Sequence, residues 1–284
     1  MTAHGARTGI VVHALAYYPV KGCGGIAVEA AEVGVTGLRH DRSFMVVDAE
    51  DGSFRSQRRI PAMAAIQARV LDDGARLALS SPGVPELLVP VDLNAPRRAV
   101  SMFGRPIGEG VDQGNEAAEW FSGVLGTKSR LVRVPPDFDR DGWGETPGKV
   151  GFADAHALLV TTVESLADLN RRIVARGESP VGMGRFRPNI VLAGCTEPHD
   201  EDRVRRMTVG ETELAYAVRA LRCSVPMIDQ RTGRRAGPEP IRTLATYRRE
   251  PAYGNRVSFG MKAAVLRRGR VAVGDAVHVT AWED

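Results

Sequence analysis

The chain has 284 residues, a formal net charge of +4, and a composition that is 43% hydrophobic and 25% charged. These values fit a soluble globular protein of one or two domains. They give no case for nucleic acid as a main partner and leave no apolar run long enough to span a membrane. Three widely separated cysteines, an odd number, fit a reducing compartment, and no Cys-x-x-Cys or His/Cys cluster suggests zinc or an iron–sulfur centre. Met1–Arg7 carries no cleavable signal pattern, so a cytoplasmic location is expected.

In chain order, Ser43–Val47 is a β-rich run, and Asp48–Gly52 supplies an Asp-Gly turn after it. Gln67–Leu71, Asp72–Gly74 and Arg76–Leu79 repeat that pattern, and short strands at this spacing indicate a barrel or sandwich. Pro96–Arg105 reads as loop. Gly114–Phe121 starts a helix, with Asn115 placed to cap it and Gly126 to stop it. Pro135–Gly151, rich in Pro, Gly and Asp, reads as the connection between two lobes. Ala157–Val160 is a buried strand by its apolar run. Thr161, three residues before Glu164, then opens a capping box for a helix with Leu166, Leu169 and Ile173 on one face, ending near Gly177. Asn189–Cys195 reads as another strand, and Arg270–Val279 as two short strands about a Gly-Asp turn. The fold class is mainly β (α+β) with a few short helices.

Two local features suggest chemistry. Cys223 stands directly after Arg222, between an apolar stretch and the turn-rich Asp229–Gly233, and an adjacent guanidinium favours the thiolate that acts as nucleophile or soft-metal ligand. Taken alone, a lone cysteine is more often inert packing. The 38 basic residues comprise 34 arginines and four lysines, so Lys21, inside Pro19–Gly25, stands out where individual arginines do not.

Seven separated motifs extend these hints: Tyr18–Cys23, Gly37–Arg42, Ser165–Asn170, Arg185–Ile190, Arg222–Gly233, Thr243–Arg248 and Val273–Asp275. In this order they resemble the MOSC superfamily, in its amidoxime-reducing component branch, over about residues 10 to 280. The resemblance implies an N-terminal β-barrel-type domain over 1–125 and a β-barrel MOSC domain over 126–284. It also implies a molybdenum cofactor, an anionic pterin whose metal shell is completed by one protein cysteine, here Cys223. Lys21, Gly22, Arg42, Arg187 and Asn189 fall on cofactor-binding motif positions, and Arg222 beside the metal ligand. Charge and forked donors around a phosphate suit that role. Thr161 and Thr162 precede a helix whose N-terminal amides could face an anion, with capping alone as the equal alternative. Cys195 reads as core packing, and Cys23 as near the pterin without ligating. Two departures stand out: relatives often have serine at Gly22 and Thr-Thr at Pro226-Met227.

The activity implied is reduction of small N-hydroxylated compounds, with electrons from a separate ferredoxin, flavoprotein or haem protein. The alternatives are sulfur transfer through a persulfide on Cys223 and non-catalytic carriage of the cofactor.

Overall fold

The computed structural model describes residues 9–283; the Met1–Arg7 segment lies outside them. Most of the regular structure is β-strand, with three α-helices: α1 (Gly114–Leu125), α2 (Val163–Val174) and the one-turn α3 (Ile241–Leu244). The largest sheet has nine strands. Val277–Trp282 pairs with Val204–Val209, followed by Thr212–Leu221, Arg256–Arg267, Leu158–Thr162, Ile190–Ala193, Val11–Tyr17 and Ile26–Val28, with Arg249–Glu250 attached to Arg256–Arg267. Leu158–Thr162 and Ile190–Ala193 are parallel. A parallel pair needs a crossover connection, and α2 lies in that crossover.

A second sheet orders Arg97–Met102, Arg105–Asp112, Ser129–Arg133, Phe44–Asp48 and Val20–Lys21. Phe44–Asp48 shows why it lies inside that sheet. Phe44 and Val46 enter a core with Met63, Leu79 and Phe121, while Met45 and Val47 enter another with Val100, Met102 and Phe152. Successive side chains of a strand point to opposite faces, so an unbroken apolar run must have both faces covered.

The expected mainly β architecture is what the chain adopts. Both strand orders are open paths, and no closed barrel is found among the described residues. Bulges in the pairing of Thr212–Leu221 with Arg256–Arg267, at Glu213/Leu214, Tyr216/Val218 and Arg219/Leu221, bend the large sheet instead.

Pairing crosses the residue 125/126 position in both directions. Val11–Tyr17 joins the large sheet through Ile190–Ala193, and Ser129–Arg133 joins the second sheet through Phe44–Asp48. Two local expectations change. Pro96–Arg105 is not loop: Arg97–Met102 forms a hairpin with Arg105–Asp112 through a two-residue turn at Phe103-Gly104, which lacks the usual Asn-Gly or Asp-Gly sequence. The two C-terminal strands flank the expected Gly-Asp turn and each pairs elsewhere. Gly269–Ala272 pairs with Ala30–Gly34, and Val277–Trp282 with Val204–Val209. The α1 cap is Gln113 without a side-chain bond, and Asp112 Oδ1 accepts from the Gly114 N–H at 2.9 Å instead of Asn115 acting there.

Candidate functional site

A cavity of about 690 Å³ opens where the two sheets meet. One wall comes from the end of Val20–Lys21 and the Phe54–Arg58 loop, the other from Ala153–Ala157, Phe186–Asn189 and the turn after Thr212–Leu221. Nine lysine and arginine side chains line it against one carboxylate, Asp154. Like charges at such density repel strongly where water is sparse, so the arrangement is suited to a multiply anionic ligand.

Cys223 is half-buried in this lining, in the turn between the end of Thr212–Leu221 and the short helical turn Val225–Met227. Its neighbour Arg222 is anchored at both ends. The backbone N–H donates to Val257 O at 2.8 Å, and Nη2 donates to Phe186 O at 2.5 Å, with the guanidinium 5.4 Å from the Phe186 ring. Burial pushes the Arg222 guanidinium down to about 10. One edge of its fork is held at Phe186 O, and Cys223 is the first influence to oppose the lowering by burial.

Arg42 and Arg187 stack on the ring of Tyr18, at 4.3 and 4.2 Å from its centroid. Tyr18 is fixed by its N–H to Asp41 Oδ1 at 2.8 Å and its hydroxyl to Pro188 O at 3.1 Å. Arg42 donates to Asp41 Oδ2 at 2.5 Å, to Asn189 Oδ1 at 2.9 Å and to Arg187 O at 3.1 Å. Arg187 donates to Gln230 Oε1 at 3.0 Å. Burial lowers the Arg187 guanidinium to about 10, with Arg42 adding to the effect. Asn189 lines the cavity, but its amide also accepts from Leu159 N–H and donates to Ala16 O, so it chiefly holds Arg42 in place.

Lys21 Nζ donates to Phe152 O at 2.8 Å and pairs with Asp154. Burial pushes the Lys21 ammonium below the usual lysine range, against the pull of Asp154. For Asp154, burial would raise the carboxyl, yet Lys21, and then Lys262 and Arg42, hold it well below the usual carboxylate range. Gly22 has φ 83°, and a β-carbon there would lie 3.1 Å from Met63 Cε. Positive φ favours glycine at this turn.

Thr161 and Thr162 do not line the cavity. Both are fully buried; Thr162 caps α2 by accepting from Ser165 N–H at 3.1 Å, and Thr161 contacts Met183 Sδ. The cap lies one residue later than Thr161-x-x-Glu164 suggests. Thr162 Oγ1 also bonds Glu201 Oε2 at 3.2 Å, so a protein carboxylate sits at that helix end. Cys23 is completely buried in the core with Phe44, Met63 and Ile66, and burial pushes its thiol up to about 12. Cys195, half-buried, is also pushed up to about 12, first by burial and then by Glu164 and Glu201. Neither lines the cavity.

The sequence reading missed Lys262, Asp154, Gln57 and Phe103. Lys262 lines the cavity from Arg256–Arg267 and has no hydrogen bond or ion pair among the described residues. Burial lowers its ammonium to about 7, with Arg42, Arg222 and Lys21 adding and Asp154 opposing. Its signal was a lysine inside the apolar run Phe259–Val265.

Fold and site together define a mainly β protein with a half-buried cysteine set in a cationic cavity shared by two sheets. Residues 9–128 match the MOSC N-terminal beta barrel domain family, and residues 147–278 the MOSC domain family. Mitochondrial amidoxime-reducing component 1 of Mus musculus is 33% identical over 280 residues, covering 92% of this chain and 80% of that protein. Mitochondrial amidoxime reducing component 2 of Bos taurus is 32% identical over 279 residues with the same coverage. Molybdenum cofactor sulfurase of Arabidopsis thaliana is 30% identical over 251 residues, 82% of this chain but 30% of that protein. The chain belongs to the MOSC family, in the branch of the amidoxime-reducing components.

Proposed function

We propose that this chain is a molybdenum cofactor-dependent oxidoreductase that reduces small N-hydroxylated compounds and receives electrons from a separate electron-transfer protein. The observation that carries this reading is Cys223 in the lining of a cavity with nine cationic side chains and one carboxylate. The residues fit the group. A thiol suits a soft metal, Lys262 makes no hydrogen bond or ion pair among the described residues, and the buried guanidiniums of Arg187 and Arg222 favour an anionic ligand. Charge-assisted contacts of this kind contribute about 1.5–3 kcal/mol each.

Bound cofactor would supply the oxygen-atom and electron chemistry. Cys223 would furnish the protein's metal ligand. Lys21, Arg42, Arg187 and Lys262 would neutralise the anionic group, and Tyr18 and Asn189 keep two of those guanidiniums in place. Gly22 lets the backbone turn at the cavity wall without a side chain in the way.

The test is turnover of benzamidoxime by cofactor-loaded protein with a reduced viologen dye. Turnover with the dye and none with NADH alone supports the reading. Molybdenum-loaded protein that fails to reduce benzamidoxime with the dye contradicts it.

A further inference from the structure

The hairpin hidden in the sequence ends in the turn Phe103-Gly104, between the paired residues Met102 and Arg105. Both turn residues have positive φ, 54° and 75°. A two-residue turn with φ positive at both positions favours Asn-Gly or Asp-Gly. A phenylalanine there is strained, because its β-carbon crowds the backbone in the left-handed region. The ring does not offset that strain by burial: Phe103 is 53% exposed.

What the ring has instead is a fixed position in the cavity lining. It lies edge-on to Phe54 with centroids 5.0 Å apart, and the Arg58 guanidinium sits 5.1 Å from its centre. Phe54 carries the Lys21 ammonium 5.4 Å from its own ring. Backbone bonds tie the two segments together, Phe54 N–H to Ser101 O at 3.0 Å and Ser101 N–H to Gly52 O at 3.1 Å. Phe54, Arg58 and Phe103 line the same cavity as Lys21 and Cys223. A strained residue with an open aromatic surface in a cavity points to ligand contact, not to folding.

We propose that Phe103 is a specificity-determining residue that offers its ring to a planar aromatic group on the substrate. The inference rests on the reductase reading above. Phe103 contributes to binding and leaves the chemical step to the groups around Cys223, so its effect belongs in KM.

The experiment compares cofactor-loaded parent, Phe103→Asn and Phe103→Trp with benzamidoxime and acetamidoxime, using a reduced dye, alongside thermal unfolding. Asparagine suits the turn, so Phe103→Asn should unfold at a higher temperature than the parent. Its KM for benzamidoxime should rise about fivefold, the scale of one aromatic contact, with kcat nearly unchanged and acetamidoxime unaffected. Phe103→Trp should keep the parent KM. An unchanged KM for benzamidoxime in Phe103→Asn overturns the inference, as does an equal loss for both substrates. Absence of turnover by the parent removes the reductase reading itself, and this inference with it.

Discussion

The side-chain amides of Gln57 and Gln230 bond each other reciprocally, each Nε2 donating to the other's Oε1 at 3.1 Å. This pair joins the loop of the second sheet to the turn beyond Cys223. Gln57 Nε2 also donates to Gly22 O at 2.7 Å, and Gln230 Oε1 accepts from Arg187. Two cavity residues from opposite walls are thereby held in one hydrogen-bonded unit.

Gln57 is almost fully buried, so removing either amide strands its partner. Gln57→Ala and Gln230→Ala should each lower unfolding stability by about 1–2 kcal/mol. The double substitution should cost less than their sum, because the groups share one network. Urea unfolding of the four proteins measures this, and additive losses would show that the pair does not act as a unit.

Lys262 should reveal itself through pH. Its folded value is lowered from 10.5 to about 7, so between those values the unfolded chain holds the extra proton. Stability therefore rises with pH across that window, and the cost of burial is full below pH 7. Without cofactor, Lys262→Met should be more stable than the parent at pH 6.5 by about 1–2 kcal/mol, discounted for the side chain's partial contact with water. The gain should fade towards pH 10. The same variant, cofactor-loaded, should keep less molybdenum after desalting. A gain independent of pH would contradict the assignment.

Glu201 carries the opposite slope. It is buried, its Oε2 accepts from Ser165 Oγ at 2.7 Å, and its Oε1 has no partner among the described residues. Burial, then the charge of Asp202, lifts its carboxyl from 4.5 to about 7. The folded protein thus holds the extra proton between those values, and stability falls as pH rises through them. His199, lowered to about 4 by burial and Arg248, pulls the other way, so the difference between variant and parent is the useful quantity. Glu201→Gln should gain on the parent as pH rises from 4.5 to 7, by on the order of 1–2 kcal/mol. Chemical unfolding at a series of pH values reads this difference. A constant difference would place the titration elsewhere.

The sequence made some of this site legible because its motifs are contiguous. Lys21-Gly22, Arg187 with Asn189, and Arg222-Cys223 each lie within three residues, and the structure brings all of them to one cavity. Strand pairing is a property of distant partners, so nothing local reveals that Val11–Tyr17 pairs with Ile190–Ala193. The hairpin of Arg97–Met102 was hidden because its turn uses phenylalanine where turn chemistry favours Asn or Asp. Thr161 and Thr162 misled for a local reason. Thr162 is spent on capping the helix that follows, and Glu201 meets that helix end. Asp154 stands between Ala153 and Ala155 with no local motif to name its partner, and only the fold sets it against Lys21.

Cys223 carries the central claim. It differs from Cys23 and Cys195 in lining the cationic cavity. X-ray absorption at the molybdenum edge, comparing cofactor-loaded parent with Cys223→Ala, counts the sulfur neighbours of the metal directly. About one molybdenum per parent chain is expected, with one fewer sulfur neighbour in Cys223→Ala. An identical sulfur shell in both proteins, or a parent chain that binds no molybdenum, would contradict it.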